Sequence, residues 1–157
     1  MWVNCFLSIS AASSVLEEFR VKHIENGLPK FSAGVPMPAF SSDAELIDSW
    51  GCPGIASDLP GYVKETPRSD ELGYCEDPKN TSRYSFWVPQ GPPIPWFLAV
   101  AHGLPRGTGA VLGYYSRATS TCGLLRCLGN TVHREEDEGD ALLVERFILN
   151  YFERSPT

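Results

Sequence analysis

The chain has 157 residues, 43% of them hydrophobic and 20% charged, with a formal net charge of −6. This composition describes one globular domain long enough to bury a substantial core, and it excludes a disordered chain. The acidic balance argues against direct nucleic-acid binding, which needs clustered Lys and Arg. No apolar run approaches the roughly 18 residues of a membrane helix.

Val3, Cys5, Leu7 and Ile9 alternate with Trp2, Asn4, Phe6 and Ser8. Period 2 with one fully apolar face predicts a strand. Cys5 lies on the apolar face and reads as a small core thiol. Ser14, with Glu17 three residues on, has capping-box spacing and predicts a helix start. Val15, Leu16, Phe19, His23 and Ile24 form its inward stripe, and Asn26-Gly27 ends it. His23 on such a stripe reads as packing. Phe31 to Val35 predicts a second short strand, closed by Pro36-Met37-Pro38. Ser42 and Glu45 repeat the capping-box spacing ahead of Leu46, Ile47 and Trp50, predicting a short helix. Gly51-Cys52-Pro53-Gly54 breaks the chain, and residues 51–81 read as an irregular insertion rich in Pro, Gly and charge.

Arg83 to Val88 predicts a strand with Tyr84, Phe86 and Val88 on one face and Trp87 on the other. It stops at Pro89, because Pro cannot continue a ladder. Pro93 and Pro95 suit the first turn of a helix, where backbone N–H groups are unpaired anyway. Phe97, Val100, Ala101 and Leu104 follow at helical spacing, and Gly103 with Pro105 ends the helix. Residues 110–116 and 122–128 predict a hairpin through 117–121. The run Glu135-Glu136-Asp137-Glu138-Gly139-Asp140 then reads as an acidic linker. Asp140 caps a last helix carrying Ala141, Val144, Ile148 and Tyr151. The division expected is residues 1–132 as the main domain and 133–157 as acidic linker and C-terminal helix. The fold class expected is α+β, an antiparallel sheet with helices packed on it.

Several pieces in this order resemble the YubB-type ferredoxin-like domains of phages and conjugative plasmids. The strand bearing Asn4 runs into a helix. Val35-Pro36-Met37-Pro38 resembles the family's I-P-M-P turn, and Ser49-Trp50-Gly51-Cys52 resembles N-W-G-T. Phe86-Trp87 with Pro92-Pro93-Ile94-Pro95 resembles an aromatic strand entering S-P-P-x-P and a helix. Leu112-Gly113-Tyr114-Tyr115 with Gly123 resembles an L-x-Y-x-E…G hairpin. The pieces span residues 2–128. Ser116 stands near where the family has an acidic residue, and Pro53-Gly54-Ile55 replaces its usual Lys-Trp. The resemblance implies a ferredoxin-like fold and a mobile-element accessory protein of the host bacterial cytoplasm.

The residues themselves show no catalytic set. Gly107-Thr108-Gly109 lacks the third glycine and following helix of a nucleotide loop. Cys122 and Cys127 are five apart and would face opposite sides of a strand, which disfavours a shared metal. No second Cys/His pair has zinc-ligand spacing. His133 beside Glu135 and Glu136 reads as a solvated charge run rather than a hydrolytic cluster. Five cysteines, Cys5, Cys52, Cys75, Cys122 and Cys127, form an odd and scattered set, and the N-terminus has no basic n-region. Together these predict reduced thiols in a cytoplasm. No cofactor and no metal are expected.

The function expected is protein binding: inhibition of a bacterial defence protein, with a CRISPR effector subunit as the candidate partner. Glu135, Glu136, Asp137, Glu138 and Asp140 are the expected partner-binding residues, because an acidic surface can pre-empt a basic nucleic-acid groove. A homodimer stays open. The alternatives are a small hydrolase using His102 or His133, and a nucleic-acid-binding sheet whose Trp2, Phe6 and Trp87 stack bases.

Overall fold

The computed structural model describes residues 2–25, 28–35, 43–52, 80–128 and 131–152. The expected insertion lies mostly outside these residues, as do Pro36, Met37, Pro38, Asn26, Gly27, Ser42 and Cys75.

The element order is β1 (Trp2–Ala11), α1 (Ser13–His23), β2 (Ile24–Glu25), β3 (Leu28–Pro29), α2 (Phe31–Gly34), α3 (Asp43–Trp50), β4 (Asn80–Pro89), α4 (Ile94–His102), β5 (Gly109–Ser116), β6 (Thr121–Leu128), β7 (Thr131–Glu138) and α5 (Ala141–Tyr151). One five-stranded sheet runs in the order β4-β1-β5-β6-β7, and every neighbouring pair in it is antiparallel. The protein is therefore α+β, with an antiparallel sheet and a C-terminal helix. β4, α4 and β5 form a crossover that encloses β1, so β1 is paired on both sides.

β1 is covered on both faces and is buried almost throughout, one face wholly apolar and the other setting Phe6 among Asn4, Ser8 and Ser10. On one face Cys5, Leu7 and Ile9 join Tyr84, Phe86 and Val88 of β4 and Leu112 and Tyr114 of β5. Leu16 and Phe19 of α1, Trp50 of α3, and Trp96, Phe97 and Val100 of α4 cover that face. On the other face Phe6, Val111 and Leu124 meet Phe147, Tyr151 and Phe152 from the C-terminal helix and the residue just after it. The result is helices, sheet, helix.

Local outcomes differ from the sequence at Ile24, which lies in strand β2 and not on the stripe of α1, and in three further places. Phe31–Gly34 is one helical turn, not a strand. Five residues cannot distinguish the two periods, and the turn packs Phe31 against Trp96, ring centroids 4.8 Å apart. It also brings Gly34 so close to α4 that a Cβ would stand 2.6 Å from the Val100 side chain. At α1 the Ser14–Glu17 box does not form: the N-cap is Ala12, without a side-chain cap, and Glu17 instead pairs with Arg20 at 2.6 Å. Third, the acidic run is not a linker. Residues 131–138 are strand β7, paired in full register with β6.

Phe97 is fully buried between α4 and the sheet. Phe97→Ala leaves a core cavity and is expected to cost roughly 3–5 kcal/mol, measured by chemical denaturation; a midpoint close to the parent's would contradict this packing.

Candidate functional site

β7 shows where the acidic residues go. Asp and Glu are poor strand formers, so pairing to β6, not intrinsic preference, holds this segment extended. Such charge is typical of an edge strand, where it discourages indiscriminate pairing. Alternation divides the side chains. Glu136 lies across from Gly123 and Arg134 across from Leu125, on the α1–α4 side; Glu135 lies across from Leu124 and Asp137 across from Cys122, on the α5 side. Glu135, Glu136 and Glu138 are exposed and Asp137 half-buried.

Asp140 plays a different part. Its Oδ1 accepts from the backbone N–H groups of Leu142 at 3.0 Å and Leu143 at 3.3 Å, so it caps α5. Gly139, at φ +86°, turns the chain into that cap and donates its N–H to the Ser120 carbonyl at 2.8 Å. The five carboxylates thus separate into four on a sheet edge and one holding a helix.

Between β6–β7 and α5 lies a cleft of about 240 Å³. Leu124, Leu143, Phe147 and Tyr151 give it apolar lining, while Glu135 and Asp137 supply carboxylates and Arg146 a cation. The free thiol of Cys122 also lines it. Burial, then the charges of Asp137 and Glu136, push that thiol up, keeping it protonated and a poor nucleophile. Cys127 lies on the opposite face, as the spacing predicts.

The α1–α4 side of β7 carries a second polar arrangement. Arg134 and Glu136 pair at 2.6 Å. The buried Tyr114 hydroxyl reaches over Gly123, where a Cβ would stand 2.2 Å away, and makes no well-formed hydrogen bond. Burial first, then the Glu136 charge, push its pKa up to about 12, against an opposing effect from Arg134.

The other sequence candidates do not converge. His23 is buried, tilted on Phe19 at 4.8 Å, and burial followed by the nearby Lys22 lowers its pKa. It lines a second cleft of about 250 Å³ between α1 and α4. Neither cleft includes His102, Tyr84 or His133. His133 lies 3.5 Å from Glu135 on the exposed strand. Among the described residues no group of three or more His, Cys, Asp or Glu is placed to hold a metal ion. Of the sheet aromatics, Phe6 is sealed under α5, while Trp2 and Trp87 stay 41% and 40% exposed. No described helix is long and apolar enough to cross a membrane.

Sequence reasoning missed Leu143, Arg146, Phe147 and Tyr151 as neighbours of the acidic run. Their spacing on α5 was visible, but their position opposite β7 requires the β6–β7 pairing. No family model, curated protein or solved structure matches the chain.

Two outcomes follow. Asp140→Ala should cost about 1 kcal/mol through loss of the cap, read by thermal denaturation, whereas Glu138→Ala should leave stability nearly unchanged. The raised Tyr114 pKa means that the folded state holds a proton the unfolded chain has released. Stability from this group is complete below the usual tyrosine value of 10.0 and is lost as pH climbs toward about 12. Tyr114→Phe should flatten that part of the stability–pH profile; an unchanged slope would contradict the assignment.

Proposed function

We propose that this protein is a mobile-element accessory factor that inhibits a bacterial defence protein by binding it. The surface used is the acidic edge formed by Glu135, Glu136, Asp137 and Glu138. The observation that carries the reading is the placement of these four carboxylates together on one edge strand, beside a cleft with an apolar lining. Such an edge complements an Arg/Lys-lined nucleic-acid groove, and its field speeds encounter with one. A nucleic-acid-binding subunit of a CRISPR effector is the candidate partner. The action is stoichiometric, in the host bacterial cytoplasm, without cofactor or catalysis.

The resemblance to the YubB-type domains supports this reading. Two of the residues that carry it, Trp50 and Phe86, both pack against Phe31 in the core, with ring centroids 5.6 and 6.4 Å away. The β4–α4–β5 crossover around β1 is the split strand–helix–strand unit that favours a ferredoxin-like description. β1 runs antiparallel to both neighbours, and α2 stands where a second strand was expected, so the description fits this unit better than the whole sheet.

The test is a charge reversal of the four strand carboxylates to Lys. Binding to a purified CRISPR effector complex, followed by surface plasmon resonance, is expected to slow at least tenfold in association rate at low salt, with the difference shrinking at high salt. The melting temperature should stay near the parent's, because Glu135, Glu136 and Glu138 are exposed and Asp137 is only half-buried. Unchanged association, or inhibition that proceeds with turnover at substoichiometric protein, would overturn the proposal.

A further inference from the structure

The sheet has two outer edges. One is β4, which ends in Pro89 and has the short β3 beside it. The other is β7, whose outer side has no strand neighbour among the described residues. A strand in that position leaves a row of backbone donors and acceptors open to solvent, which is a template for pairing with another chain.

We infer that β7 receives an extended basic segment of the partner as a sixth strand, with Lys or Arg side chains reaching into the cleft between β7 and α5. This rests on the acidic-edge reading above and specifies how the edge is read. Backbone pairing supplies register, and alternate side chains supply selectivity. Glu135 and Asp137 are two residues apart on the cleft side. The strand rise of about 3.3 Å per residue sets that repeat near 7 Å, the same repeat at which alternate residues of an added strand project on one side. A Lys-x-Lys segment therefore meets both carboxylates in one register.

The cleft suits such a side chain along its length. Leu124 and Phe147 offer apolar surface to a methylene stem, the Tyr151 and Phe147 rings offer π faces to a cation, and the carboxylates offer it acceptors. Arg146 also lines the cleft, but Glu135 and Asp137 outnumber it. A second copy of this chain is the less suitable occupant. β7 carries four carboxylates against one arginine, so pairing it with itself adds like charge to like charge.

The experiment uses a fluorescein-labelled heptapeptide, Lys-Thr-Lys-Val-Lys-Thr-Lys, with the full-length protein in a polarisation titration. Two analogues carry N-methyl groups, one on the Lys residues and one on the intervening residues. Each set of amides faces one edge of an extended peptide, so strand addition predicts that one analogue keeps its affinity and the other loses it at least tenfold. Glu135→Gln with Asp137→Asn should weaken the parent peptide at least tenfold, with the protein's melting temperature checked alongside. Equal binding of both N-methyl analogues overturns strand addition while leaving the charge reading intact. Binding indifferent to the Gln/Asn pair overturns the charge reading itself. Absence of peptide binding overturns the inference, and so does a dimer in sedimentation velocity that the peptide fails to dissociate.

Discussion

The seat of Phe6 on Gly113 sets the arrangement of the second layer. The two residues face each other across β1 and β5, and a Cβ on residue 113 would stand 2.1 Å from the Phe6 ring. Glycine there leaves room for the ring to lie down on the sheet. Phe152 then meets it edge-on at 5.1 Å, Tyr151 stacks at 6.3 Å, and the Arg83 guanidinium sits 4.1 Å above its centroid. Arg83 also donates to the Tyr151 carbonyl at the end of α5, satisfying a group the helix leaves unpaired. A single small residue thus fixes where α5 rests, and with it one wall of the cleft.

The opposite end of α5 is fixed by polar contacts. Asp140 holds the first turn, Gly139 ties that turn to Ser120 in the β5–β6 hairpin, and Arg117 of the same hairpin pairs with Glu145 at 3.0 Å. The Arg117–Glu145 pair lies in solvent and contributes little to stability. It does restrict the direction in which the helix crosses the sheet. An aromatic anchor at one end and a capped turn at the other keep Phe147 and Tyr151 facing Glu135 and Asp137 across the cleft.

Much of the fold was legible where a period was strong. The alternation in β1 and β4, the hairpin β5–β6, the Pro-started α4 and the Asp140 cap all follow from residue spacing. The segment Phe31–Gly34 was not legible, because its helical turn is selected by Trp96 and Val100, far away in sequence. Nor was β7: four consecutive acidic residues have no apolar alternation and poor strand preference, so only the hydrogen-bonding demand of β6 makes them a strand. The acidic residues were visible as a cluster, but not their division into two faces and a cap. That division depends on a register which local sequence does not encode.

The topology also separates the sheet by the distance along the chain over which its pairs must form. β1 finds its partners far away, Asn4 lying between Trp87 and Tyr115. β5, β6 and β7 follow one another along the chain as an antiparallel meander. Closing a long loop costs entropy before its contacts form, so the meander is the part of the sheet that can assemble early and β1 is the part that waits. The acidic edge belongs to the early part. During synthesis and refolding, its carboxylates are in a position to guard a growing sheet from intermolecular pairing while the apolar strand β1 still lacks its neighbours.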